Sequence, residues 1–333
     1  MRATTPRETP PPAESPRTAK AMVITWGRRV LVVALVGYVG YQLYSRWHEV
    51  SETLLSLPWP TLVLSLACVF LGMLLIPIVL QVLLTDLGTP VRVRDAAKIV
   101  LVGQLGKYVP GSVFAVLMQM ELAKAVGVSR SRSFTASLLA VGVGVIASLL
   151  TGILALPAFF RGSHEVLWLF ALLPIGLVFV RPKPLTWLVS LMLRLLRRAP
   201  LEQPIRGAAI GKCIGVSVVV YLLWGTHMYL LTSALGYSSG TTFVLCVGAL
   251  GLAMTAGIIA FFLPSGLGAR ELVIVTALTV VMPSGPALAL AVVSRLMFTV
   301  GDLASAGGAA LFAYLSDRRT SALAVPAESS TVG

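Results

Sequence analysis

The chain is 333 residues long, 57% hydrophobic and only 12% charged, with a mean hydropathy of +0.90. Soluble domains carry about 25% charged residues, so this composition excludes an ordinary soluble fold and makes lipid the solvent for most of the chain. Lys+Arg number 26 against 13 Asp+Glu, a formal charge of +13; on a membrane chain that excess sets orientation and meets anionic head groups instead of nucleic acid.

Residues 1–27 form a polar leader with Pro6, Pro10, Pro11, Pro12 and Pro16, too poor in apolar surface to fold and expected to be disordered. The apolar run Val30–Tyr44 follows Arg28 and Arg29, but Ser45-Arg46-Trp47 offers no small-x-small cleavage site, so it reads as a retained first helix. Further apolar runs cover 61–84, 96–124, 134–158, 166–181, 207–235, 242–282 and 286–315. A full crossing takes about 20 residues. The 96–124 run is interrupted by Lys107-Tyr108-Val109-Pro110-Gly111. At about 1.5 Å per residue each arm falls short of a bilayer core of about 30 Å, which predicts a re-entrant hairpin. Pro264-Ser265-Gly266-Leu267-Gly268 breaks the 242–282 run in the same way, but its arms are longer, and both a hairpin and two full spans remain open.

Positive charge tests this layout. Residues 1–29 hold six Lys/Arg, 85–98 three, 121–132 three, 181–212 seven and the tail after 316 two, whereas 45–60 and 159–165 hold one each. The positive-inside rule makes the basic side cytoplasmic. The expectation is an all-α polytopic membrane protein of the cytoplasmic membrane with both termini cytoplasmic. It has about six to eight spans including the two hairpins, a membrane domain over 28–316 and a disordered tail over 317–333. The hairpins would enter from opposite faces, the signature of inverted-repeat transporters, whose sites lie where the breaks meet. The basic 181–212 segment, with Trp187, Leu191 and Arg194, fits either an interfacial helix or the flank of two spans.

Five ionisable residues fall inside the apolar runs: Lys107, Arg270, Glu271, Arg295 and Asp302. Charge in the membrane is costly and marks a site by default, and three cations to two carboxylates favour a small anionic group such as a phosphate. The other reading is structural: Glu271–Arg295 and Lys107–Asp302 as packing pairs, with Arg270 snorkelling to an interface. Cys68, Cys213 and Cys246 read as buried hydrophobes and His227 as a structural hydrogen-bonding residue. No metal cluster, phosphate loop or nucleophile motif is present, so no cofactor, no metal and no enzymatic activity are expected.

Gly106-Lys107-Tyr108-Val109-Pro110-Gly111, then Glu121-Leu122-Ala123-Lys124 and later Leu263-Pro264-Ser265-Gly266-Leu267-Gly268-Ala269-Arg270-Glu271, resemble the lysylphosphatidylglycerol synthase transmembrane-region family. Ser294-Arg295-Leu296 and Asp302 sit where that family tends to have an Arg and an Asp, and the resemblance covers about 28–316. It implies a flippase that translocates a polar or anionic lipid, phospho- or isoprenoid-linked, between leaflets. It also implies Lys107, Tyr108, Arg270, Glu271, Arg295 and Asp302 as its head-group site. In the synthases proper the membrane region moves an aminoacylated phosphatidylglycerol made by an attached domain. Here the residues after 316 leave no room for one, so a membrane region without the synthase domain is expected. Where many relatives have a Trp and then an Arg, this chain has Phe114 and Gln119, which puts an identical substrate in doubt. The implied partners are membrane lipids with anionic head groups. The alternative is a non-transporting scaffold that presents lipid to a separately encoded transferase.

Overall fold

The fold is that of a computed structural model describing Tyr44 and residues 47–108, 113–156, 182–195, 205–260 and 266–323. The expected first helix over Val30–Tyr44, except Tyr44 itself, and the 166–181 run lie outside these residues, as do the leader and 324–333. The described elements are helical: α1 Trp47–Ser56, α2 Trp59–Asp86, α3 Val93–Ala97, α4 Val113–Ala125, α5 Arg130–Gly152, α6 Pro182–Leu195, α7 Gly207–Ala234, α8 Gly240–Ile259, α9 Ala269–Leu278 and α10 Ser284–Leu323. They are helices because backbone groups in lipid must be satisfied within the segment, and the long ones are apolar nearly all round, as a lipid-facing helix requires. Their ends are set locally. Ser129 and Ser239 accept hydrogen bonds from the Arg132 and Thr242 amides at the starts of α5 and α8, at 3.3 and 3.0 Å, satisfying donors that a helix start leaves open. At the start of α7 the Arg206 amide donates to Asp86 Oδ2, at the end of α2, at 2.9 Å.

Among the described residues five helices are long and apolar enough to cross a membrane: α2, α5, α7, α8 and Ser284–Phe312 of α10. Asp86 with Arg206, and Thr89 with Arg132, gather the end of α2 and the starts of α5 and α7 at one end of the bundle. Trp224 Nε1 donates to the Val69 carbonyl at 3.2 Å and Cys213 Sγ lies 3.7 Å from the Val79 carbonyl, so α2 and α7 run antiparallel. The Ser148–Thr255 hydroxyl pair ties α5 to α8, also antiparallel. Val69, Met73, Trp224, Met228, Leu245 and Leu250 lie in the largest buried cluster.

Between α2 and α5 the chain makes the expected hairpin. Its first arm is α3, a π-helical turn over Lys98–Val102 and a 3-10 turn over Gln104–Tyr108; its second is α4. The thirteen residues of α4 reach only about 20 Å. The arms are in backbone contact: a Cβ on Gly106 would stand 2.6 Å from Ala115 Cα. The second hairpin is unequal, which decides the question left open by hydropathy. The twenty residues of α8 can cross, but the ten of α9 span about 15 Å and cannot. It opens toward the end of the bundle opposite to the first hairpin. The fourteen residues of α6 are likewise too short to cross, and the helix leaves Trp187 and Leu191 exposed on a stripe with Lys183 and Arg194. α10 runs to Leu323, beyond the expected domain boundary at 316.

Gly106→Ala is expected to force the first hairpin apart and to cost about 1–3 kcal/mol, the usual range for overpacking. Gly211→Ala is the control, since nothing lies within 4 Å of its added Cβ. Thermal unfolding in detergent checks this: a lower midpoint for Gly106→Ala and little change for Gly211→Ala.

Candidate functional site

Arg295, Phe298 and Asp302 are three and seven residues apart and share one face of α10. All three are contacted from a hairpin. At one end Lys107 Nζ, from the first hairpin, lies 2.5 Å from Asp302 Oδ2, and Asp302 is only 1% exposed. At the other, Arg295 Nη1 donates to Glu271 Oε1 of α9 at 2.6 Å. Between them the Arg270 guanidinium stands 4.7 Å from the centre of the Phe298 ring, a cation–π arrangement. Phe298 is itself braced by Trp224 and His227, with ring centroids 5.0 and 5.8 Å away.

The second break explains its own sequence. Gly266 and Gly268 adopt φ of +64° and +87°, the left-handed region that glycine enters without steric cost. The Gly268 amide donates to Glu271 Oε2 at 2.7 Å. Glu271 therefore caps α9 with one oxygen and holds Arg295 with the other. Adjacent helical residues diverge, so Arg270 points elsewhere, alongside Gly257 and over Phe298. It does not snorkel to an interface as the structural reading expected. Gly257 and Gly266 leave room for it: a Cβ on Gly266 would stand 2.6 Å from Gly257 Cα.

Five of the six sequence-derived site residues, Lys107, Arg270, Glu271, Arg295 and Asp302, thus converge on α10. The Tyr108 side chain and residues 109–112 lie outside the described residues, as do 261–265. Both ion pairs envisaged from the sequence are present. Behind the stripe, His227 is fully buried, its Nδ1 2.5 Å from Ser65 Oγ and its Nε2 2.9 Å from Ser294 Oγ, a polar tie between α2, α7 and α10. The three cysteines are free and buried. Among the described residues no group of three His, Cys, Asp or Glu is placed to hold a metal ion.

A cavity of about 520 Å³ opens where the two hairpins approach α5. Lys107 and Arg270 border it, and they are the charged residues of its described wall; the rest is mainly apolar, with Gln104, Gln119 and Ser137 as its neutral polar members. Ser137 Oγ donates to Gln119 Oε1 at 2.7 Å. Gln104 Nε2 is buried without a hydrogen-bond partner among the described residues. Sequence reasoning did not assign these three to a site. Uncharged amides and hydroxyls give no membrane-cost signal as strong as a charge, and only Gln119 stood out, as a departure from relatives.

A model of the lysylphosphatidylglycerol synthase transmembrane region matches residues 29–305. The chain belongs to this family. Membership gives it a role tied to membrane lipid, and the matched region contains both hairpins and the whole Arg295–Asp302 stripe. No curated protein matches the chain. In this member of the transmembrane-region family the charges cluster as two ion pairs and a stacked guanidinium. Removing one partner of a buried pair costs about 3–5 kcal/mol. Asp302→Ala should therefore destabilise strongly, and the exchange Lys107→Asp with Asp302→Lys should recover more than about 1 kcal/mol relative to the summed single changes. A denaturation double-mutant cycle checks this; strict additivity would contradict the pairing.

Proposed function

We propose that this chain translocates a lipid with an anionic phosphate-ester head group between leaflets, holding the head group in the cavity while the tails stay in the bilayer. The observation that carries the reading is the cavity itself. Hairpins from opposite ends of the bundle meet at it, and both charged residues of its described wall are cations. Around it Lys107, Arg270 and Arg295 outnumber Glu271 and Asp302 by one, and the single negative charge of a phosphodiester balances that excess. Irregular backbone at membrane depth is tolerated where it lines a cavity, and broken helices supply ligand contacts in transporters. Family membership supports the lipid as cargo.

In this reading the end marked by Asp86, Arg132 and Arg206 faces the cytoplasm, as the positive-inside rule directs. The chain carries no phosphate-binding loop for a nucleotide, so movement follows a gradient or a downhill flux, and the chain performs no covalent chemistry. Arg270 has the leading role. Its guanidinium stacks on Phe298 and borders the cavity, within reach of a phosphate held there, while the neighbouring Glu271 is engaged by Arg295 and the Gly268 amide.

The test is a leaflet-resolved assay in proteoliposomes with labelled phosphatidylglycerol in one arm and an isoprenyl phosphate in the other. Wild type should accelerate exchange of at least one of them, and Arg270→Ala, shown to be folded by its elution and thermal midpoint, should slow that exchange by about tenfold or more, the equivalent of one lost charge-assisted contact. Wild-type vesicles no faster than protein-free vesicles would refute translocation.

A further inference from the structure

Resting on the lipid reading above, we propose that the cavity opens sideways into the bilayer core through a slot between α5 and α8, bordered by Val141, Gly144 and Ile258, and that the hydrocarbon chain of a bound lipid leaves the cavity through this slot.

The two helices touch at one end and part toward the other. A Cβ on Gly152 would stand 2.7 Å from Leu252 Cδ2, and one on Gly251 would stand 2.5 Å from Thr151 Oγ1. The Ser148–Thr255 hydroxyl pair continues this contact. One turn farther along α5 the surroundings change. Among the described residues, a Cβ on Gly144 would meet only the Tyr221 hydroxyl oxygen, at 3.8 Å, and Tyr221 belongs to α7. Because α5 and α8 run antiparallel, the Ser148–Thr255 register brings Ile258 level with Val145, next to Gly144. Val141, Gly144 and Ile258 all line the cavity. Val141 and Ile258 are also exposed at the molecular surface, by 45% and 39%. A side chain that lines a cavity and is open at the surface marks where the two meet, and here one such side chain comes from each helix.

Depth and size name the occupant. Val141 lies eleven residues beyond Arg130, the first residue of α5, or about 16 Å along its axis. That is near the middle of a bilayer core of about 30 Å, where the surrounding solvent is hydrocarbon. A polar group leaving at this level would find no hydrogen-bond partner, whereas an alkyl or prenyl chain passes at no such cost. The cavity wall beside the slot is apolar, with Leu138 on α5 and Met254 on α8, while Lys107 and Arg270 are the charged residues of the described wall. A molecule with a phosphate at one end and a hydrocarbon chain at the other matches both regions. The volume of about 520 Å³ falls in the range of pockets that hold a drug-sized molecule. It therefore accommodates a head group and the start of a chain, and the remainder of a long-chain lipid needs a way out.

The experiment follows the chain instead of the head group. Phosphatidylglycerol in one arm and a prenyl phosphate in the other, each with a photoreactive group on its hydrocarbon chain, are added to the purified full chain in maltoside micelles. After irradiation, labelled peptides are mapped with and without excess of the same unlabelled lipid. In at least one arm the peptides holding Val141 to Gly144 and Ile258 should be labelled and should lose that label on competition, whereas label at Leu311 and Phe312, exposed on the perimeter, should persist. Val141→Trp and Gly144→Leu, with thermal midpoints near that of wild type, should each lower the competable label at Ile258. In proteoliposomes they should slow exchange by about tenfold or more, the equivalent of forcing a large side chain into occupied space. Leu311→Trp should change neither. In both arms, label at Ile258 no more competable than label at Phe312 would overturn the proposal, and so would competable label unmoved by both slot variants. Competable label without wild-type exchange would sink translocation and leave the slot standing; wild-type exchange without competable label would do the reverse.

Discussion

Everything in this fold turns on one face of one helix. The hairpin segments α4 and α9 are too short to cross the bilayer, so length and hydropathy alone cannot fix the depth at which the tips stop. Charge can. A lysine or glutamate at membrane depth must find its counterion, and for both hairpins that counterion is on α10: Asp302 for Lys107 and Arg295 for Glu271. The two-turn spacing of Arg295 and Asp302 sets the two ion pairs about 10 Å apart along the helix axis. Phe298 between them is where Arg270 rests.

That arrangement distinguishes the charges by what they touch. Two carboxylates and two cations pair with one another and tie both hairpins to α10. Glu271 does this twice over, as cap of α9 and as partner of Arg295. The Arg270 guanidinium stacks on Phe298, itself packed against Trp224 and His227, and borders a mainly apolar cavity. The two ion pairs that a purely structural reading demanded are present, and Arg270 stands between them over Phe298. Small residues complete it: Gly106 admits the backbone of Ala115, and Gly257 admits both Gly266 and the Arg270 side chain.

Much of this was legible in the sequence, and the gaps have physical causes. The first hairpin was readable because Lys107 and Pro110-Gly111 split an apolar run into arms below crossing length. The second was ambiguous because residues 269–282 are as apolar as a true span. What ends α9 at Leu278 is local geometry, and a hydropathy window does not register it. The five charges were readable because charge in lipid stands out. Their two pairings could be envisaged from the charges, but only the opposed packing of the hairpins joins Lys107 to Asp302, nearly two hundred positions away. Phe298, Gln104 and Ser137 were invisible for the opposite reason: an aromatic, an amide and a hydroxyl are unremarkable in a membrane helix until a cavity is seen beside them. His227 was read as a hydrogen-bonding residue and does hydrogen-bond, but its partners Ser65 and Ser294 needed the three-helix contact.

The central claim is that a lipid head group occupies the cavity where the two hairpins approach α5. Its most direct test is a phospholipid carrying a photoreactive group on its head group, reconstituted with the full chain, irradiated, and mapped by peptide mass spectrometry. The account predicts crosslinks concentrated in the peptides holding Gln104 to Lys107, Val116 to Gln119 and Gly266 to Arg270, lost on competition with unlabelled phosphatidylglycerol. Crosslinks confined to the lipid-facing perimeter, at Leu303, Leu311 and Phe312, with none on the cavity wall, would contradict it.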